Sequence, residues 1–445
     1  LTTLADRFIL LSLDKEPIMP TDLYSRIRAE VDKISIIDTH EHTVPPHELA
    51  GLGRLDFGAL FSQYANSDLI SAGMPIQDME QVKKTDSELS PMEKWELAKP
   101  YYERAWNTAY CECLRIAIRD IYGIEDLADD TVEPLSEKMD AVPRETWARE
   151  VFDRAGIDLV LANTWDGHPV IPRTPYPGLF IYDMYDNFSG LDLDFLSKDA
   201  GMPIGSLAEY LAVIDYYFEQ YARGAAALKI SRAYDRSLAF DDVSRAWAER
   251  SFREVLKGHP TAAERRAVED FIIHYLLRKC GEYYLPVKFH TGLQEGNGND
   301  VRNSRAALLI PLFMKYPHVK FDVYHISWPY TDELVNICKN FPNVWIDFCW
   351  AWIFNPPAAR RYLSDMLETV PLTKIHGFGG DFCMVEGSYG HSRIARREIA
   401  RVLADKVAEG RFTEEYAVRA ADRLLRTNAL ENFRIEEKRE FCAQR

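Results

Sequence analysis

Nowhere in the 445 residues do apolar side chains run on for the ~18 positions that a membrane span needs, so no bilayer-crossing helix is expected. Basic residues are in short supply. There are 53 Lys and Arg against 69 Asp and Glu, a net charge of −16, which argues against nucleic acid or an anionic membrane as a partner. An anionic small-molecule substrate stays open, because a pocket can be locally basic. The seven cysteines, at positions 111, 113, 280, 338, 349, 383 and 442, are odd in number and form no C-x-x-C. Neither a disulfide framework nor a zinc ribbon is indicated, and scattered thiols fit a reducing, cytoplasmic setting. Cys111 and Cys113 fall on an expected helix, where they would point to different sides. The opening stretch LTTLADRFILLSLDKEP has neither a basic start nor a cleavage site, so it is not read as a signal peptide. Repeats, low-complexity runs and linkers are also missing, and a single domain over 1–445 is expected.

What is present is a series of eight short, strongly apolar runs: KISIID (33–38), DLVLAN (158–163), GLFIYDM (178–184), AAALKI (225–230), LPVKFH (285–290), VKFDVYH (319–325), NVWIDF (343–348) and KIHGFGG (374–380). Such runs suit strands buried on both faces. Helix-like segments such as AAERRAVEDFIIHYLLRKCGE and SRAALLIPLFMKYP separate most of them. Alternation of this kind implies a parallel sheet, and eight strands fit a closed (β/α)8 TIM barrel, with a doubly wound open sheet as the runner-up. Residues 45–155 show no convincing strand, and 94–122 read as helix rich in Tyr, Trp and Arg. A mostly helical insertion over the barrel mouth is expected after strand 1. Closing helices are expected over 414–435.

The expected strand ends carry the chemistry-bearing residues. Strand 1 runs into Asp38, His40 and His42, strand 4 carries Lys229, strand 5 ends at His290, strand 6 at His325, and strand 8 leads to Asp381. In a (β/α)8 barrel these ends share the face where active sites lie. Positions i and i+2 of an extended chain point to one side, so His40 and His42 can ligate one ion together. Three imidazoles and a carboxylate suit zinc, with manganese or iron as alternatives. Each residue taken singly also has a structural reading: packing histidines, a capping Asp381, a snorkelling Lys229. Their joint occurrence is what favours a metal site.

The pattern resembles the amidohydrolase superfamily, and within it the nodulin/FluG-type amidohydrolase-related enzymes. IIDTHEH, RAWNTAYCECLRIAIRDIYG, ALKISRAYDRSL, KFHTGLQEGNGNDVRNSR, VYHISWPY, NVWIDF, GFGGDF and LLRTNALENF carry the likeness from about residue 35 to 435. The resemblance implies that His40, His42, His290 and Asp381 hold one or two divalent ions. It implies that Asp381 also shuttles a proton, and that His325 polarises substrate or binds a second metal. Lys229 occupies the place of a lysine that is carboxylated in some members; as a free amine it would suit an anionic substrate group. Gly380 before Asp381 departs from the usual Ser/Thr-Asp pair.

Two further stretches are candidate substrate contacts. In TGLQEGNGNDVRNSR (291–305), Arg302 or Arg305 could clamp a carboxylate, or the loop could be a capped turn. In CWAWIFNPP (349–357), Trp350 and Trp352 could wall the pocket. The leading expectation is hydrolysis of an amide or related C–N bond in a small polar molecule, with metal-activated water and Asp381 as general base and acid. The alternatives are a non-hydrolytic reaction on the same site, either decarboxylation of an aromatic acid or isomerisation of a uronate, and a non-catalytic binding barrel. A homo-oligomer is compatible with the sequence.

Overall fold

A computed structural model describes residues 21–44, 46–163 and 179–443; the opening stretch discussed above lies outside the described residues. The strands are β1 (Ile36–Glu41), β2 (Ile157–Ala162), β3 (Phe180–Tyr182), β4 (Met184–Tyr185), β5 (Leu228–Ile230), β6 (Val287–Phe289), β7 (Phe321–Val323), β8 (Val344–Asp347) and β9 (Ile375–His376). Each pairs in parallel with its sequence neighbour, except across Asp183 between β3 and β4. There the chain changes partner: Asp183 N–H donates to Ala162 O, while Met184 N–H donates to Ala227 O. β3 and β4 are therefore one barrel stave, and the staves among the described residues number eight. Thr39 N–H donating to Phe378 O closes β1 on the segment after β9. The result is a (β/α)8 barrel of the expected kind, with its strand ends on one face.

Each expected strand is found, mostly shortened at its ends, because two or three ladder bonds suffice before the chain bends out over the mouth. β1 differs, reaching Glu41, so His40 lies within it and not after it. Between β1 and β2 the described residues form only helices and turns. The expected helix 94–122 is broken: Pro91–Ala105 ends at Trp106, and Thr108 caps a fresh start at Ala109–Ala117 by accepting from Cys111 N–H. A π-turn and left-handed Gly123 then end the run. The expected helix at 304–317 is also broken, because Pro311 can sit only in a first helical turn, and the regular helix is Ile310–Lys315.

Helix Ala262–Tyr283 matches expectation, opened by a reciprocal Thr261–Glu264 capping box. Helices Glu414–Asp422, Asn428–Asn432 and Ile435–Ala443 lie at the C-terminal end. None of the helices among the described residues is long and apolar enough to cross a membrane. Cys111, Cys113, Cys280, Cys338, Cys349 and Cys383 are free thiols.

The barrel interior is not purely apolar. Lys288 Nζ donates to Asp183 Oδ2 at 2.6 Å and to Thr39 O at 2.8 Å. His376 Nδ1 donates to Asp322 Oδ1 at 3.1 Å and lies 3.6 Å from Asp347 Oδ2. All five side chains are buried. Burial pushes Asp322 up to about 6. Burial opposes charge on His376 too, but the two aspartates together push it up to about 9.

Candidate metal centre

At the C-terminal mouth, His40 Nε2 and His42 Nε2 each lie 3.4 Å from Asp381 Oδ1. One ligand atom from each of these three residues falls within 4.8 Å of the others. β1 sets the two imidazoles on one side, as the i, i+2 spacing requires. Asp381 is fixed from both directions. Its N–H donates to His40 O at 2.8 Å, while Tyr64 Oη–H donates to its carbonyl. It also holds a left-handed backbone, φ 65°. Gly380 is required beside it, since a Cβ there would lie 1.8 Å from Glu41 Oε1. That accounts for glycine where Ser or Thr is usual.

Backbone carbonyls fix the imidazole tautomers, because a carbonyl only accepts. His42 Nδ1–H donates to Asn163 O at 2.8 Å, which leaves the lone pair on Nε2, the atom facing Asp381. His325 Nδ1–H donates to Cys349 O at 2.9 Å, and His290 Nε2–H donates to Leu293 O at 2.9 Å. The remaining nitrogens, His325 Nε2 and His290 Nδ1, face one another at 3.0 Å. Burial, with Lys229 nearby, drives His325 well below its ordinary value, and burial and Lys229 do the same to His290. Two neutral imidazoles thus present lone pairs to each other, a repulsive contact unless a cation lies between. His40 falls well below its ordinary value for the same reasons, burial first, and its Nδ1 is buried with no hydrogen-bond partner. Deprotonated nitrogens converging on a carboxylate are the donor set a borderline divalent ion takes, so these residues fit a metal.

Lys229 Nζ sits 3.5 Å from His40 Nε2 and 4.0 Å from the centre of the Tyr324 ring. Burial lowers its pKa. Trp350 packs edge-on against His325, ring centres 5.3 Å apart, and stacks on Tyr64 at 4.5 Å. The fold thus brings together His40, His42, His290, His325, Lys229, Asp381 and Trp350.

Three of the sequence candidates are not brought there. Arg302 is exposed and forms a two-point ion pair with Asp300, the residue that caps its own turn. Arg305 is engaged by Glu333. Trp352 is buried away from the mouth, stacked on Phe348 and donating to Gly377 O at 2.8 Å. An arginine in a glycine-rich loop finds the nearest carboxylate, and sequence spacing does not reveal which one that is.

Sequence reasoning passed over Tyr64, Tyr110, Asp183 and Cys349. Tyr64 and Tyr110 come from the segment between β1 and β2 and stack with Trp350. Tyr110 falls in RAWNTAYCECLRIAIRDIYG, a stretch that carries the resemblance, whereas no pattern in the sequence marks Tyr64. Asp183 lies 3.8 Å from His40 Nδ1, and a carboxylate inside an apolar strand was its available signal. Cys349 stands two residues past β8, at a strand end like the histidines, and its sulfur clusters with His325 and Asp381.

A uronate isomerase of Rhizorhabdus wittichii is 22% identical over 434 residues, covering 88% of this chain and 91% of that protein. Protein fluG of Emericella nidulans is 30% identical over 181 residues, but these are 39% of this chain and 21% of that protein. Among solved structures, glucuronate isomerase from Caulobacter crescentus superposes with a TM-score of 0.76 at 18% identity, over 96% of this chain and 97% of that one. The expectation of hydrolysis is overturned here, since the uronate isomerase of Rhizorhabdus wittichii and the glucuronate isomerase of Caulobacter crescentus both align along nearly their whole length, although a protein from Lactobacillus casei assigned as a metal-dependent hydrolase also superposes, with a TM-score of 0.64 at 16% identity. The amidohydrolase family profile matches residues 195–435, more than half of the chain, with His290, His325 and Asp381 inside the match. On that match, and on a barrel mouth that gathers these residues with His40 and His42, this protein belongs to the amidohydrolase family.

Proposed function

We propose that this protein is a metal-dependent isomerase of a uronate or a closely similar sugar acid. The observation that carries the reading is the near full-length alignment with a uronate isomerase, which takes in the segment between β1 and β2 as well as the barrel. Zinc is the ion favoured by the donors His40, His42 and Asp381, with manganese or iron as alternatives. Such an ion would supply a Lewis acid able to chelate a carboxylate and its neighbouring hydroxyl.

The chain's own residues would do the rest. Asp381 takes the proton from the carbon beside the carbonyl and returns it to the former carbonyl carbon, while the hydroxyl proton passes to the carbonyl oxygen. Substrate and product then have equal mass. Lys229, buried beside His40, would as a free amine suit the negative end of the substrate. Trp350, with Tyr64 and Tyr110 behind it, forms an apolar wall that keeps water from the reacting carbons.

The test is incubation of zinc-loaded protein with glucuronate and galacturonate in D2O, followed by NMR. The expected result is a ketose product of unchanged composition. Release of carbon dioxide from hydroxybenzoates, with uronates untouched, would overturn the isomerase reading in favour of decarboxylation.

A further inference from the structure

The two oxygens of Asp381 face different ligand sets. Oδ1 is the one 3.4 Å from both His40 and His42, whereas Oδ2 is the one 3.9 Å from His325 Nε2. His325, Cys349 and Asp381 form a second group whose ligand atoms lie within 4.8 Å of one another, all three buried. The lone pair of His290 Nδ1 points at His325 Nε2 from 3.0 Å, so the same spot collects a further donor. Cys349 is held there by the backbone. Its N–H donates to Asp347 Oδ1 at 2.7 Å, its carbonyl accepts from His325 Nδ1, and a side chain at Gly379 would strike its sulfur at 2.9 Å. The thiol takes no part in the isomerisation outlined above.

We infer that Cys349 is a metal ligand, and that with His325 and Asp381 it forms a second cation position sharing the Asp381 carboxylate with the His40–His42 position. A thiolate beside imidazole nitrogen and one carboxylate oxygen selects a borderline-to-soft ion, zinc or cobalt(II), over magnesium or calcium. On binding, the Cys349 S–H bond breaks, the sulfur lone pair goes to the ion, and the proton leaves to solvent. The tautomer argument makes His325 a ligand and not a donor to substrate, since its only N–H is spent on Cys349 O. The inference rests on the metal-binding part of the function proposed above and is independent of the reaction assigned there.

Cobalt(II) titration of the chelator-stripped full chain, kept reduced, tests it without reference to activity. The expected result is uptake of about two equivalents, with a thiolate-to-cobalt charge-transfer band in the near ultraviolet. Cys349→Ser should lose the band and about one equivalent. His40→Ala combined with His42→Ala should keep the band, and Cys383→Ser should leave it unchanged. Should Cys349→Ser fail to fold, as judged by its melting transition, His325→Ala removes another ligand of the same position and should abolish the band. Cobalt uptake without a charge-transfer band, or a band that survives both substitutions, overturns the inference while leaving the His40–His42 position standing. No cobalt uptake by the unaltered chain would overturn both metal assignments.

Discussion

Backbone carbonyls decide what the imidazoles at the barrel mouth can do. By accepting one N–H each from His42, His290 and His325, they turn the opposite ring nitrogens toward the site. Asp381 is the residue on which those nitrogens converge. Asp381→Asn should lower turnover of a uronate at least ~100-fold, the lower range for loss of a positioned proton carrier, read from initial rates by NMR. Tyr64→Phe keeps the ring that stacks on Trp350 and removes only the donor to the Asp381 carbonyl. The expected cost is about 1 kcal/mol of stability in denaturant unfolding.

At the scale of elements, the long helix Val385–Ala408 joins the barrel to the helices that precede β2. Its Gly390 faces Cys113 O so closely that a Cβ would lie 2.2 Å from it. Because that neighbour is backbone in helix Ala109–Ala117, it cannot swing aside. Gly390→Ala should therefore destabilise by about 1–3 kcal/mol despite the better helix propensity of alanine, measured as a shift in the denaturant midpoint. Farther along the same helix, buried Arg396 donates to the carbonyls of Val31, Ile34 and Ala155, and so ties the ends of two helices and the entry to β1. Burial pushes its pKa down to about 10, still charged at neutral pH.

For the whole molecule, the charged layer inside the barrel sets the pH response. His376, raised to about 9 from an ordinary 6.5, contributes stability that is fully present below about 6.5 and is lost as pH rises through about 9. His376→Leu leaves Asp322 and Asp347 buried without their cation and should cost about 3–5 kcal/mol at neutral pH. The gap in melting temperature between the two proteins should narrow between pH 8 and 10; a constant gap would show that the imidazolium is not what holds the layer. Metal binding adds a second global effect. Zinc at about 100 times its Kd should stabilise the chain by about 2.7 kcal/mol over the chelated form, seen as a rise in Tm.

The order of the staves was legible in the sequence, because strands buried on both faces must be written in apolar residues, and their alternation with helices leaves few topologies. So were His40, His42, His290, His325 and Asp381, since a barrel puts every strand end on one face whatever the sequence between. What only the tertiary structure decided depends on pairings between distant segments. Arg305 found Glu333, and Trp352 found the Gly377 carbonyl. Tyr64 and Tyr110 reached the site from a segment with no periodicity that points there. The split of the Asp381 oxygens and the sulfur of Cys349 beside them belong to the same class. A contact across the barrel mouth is fixed by how eight staves close, and no local pattern of residues records it.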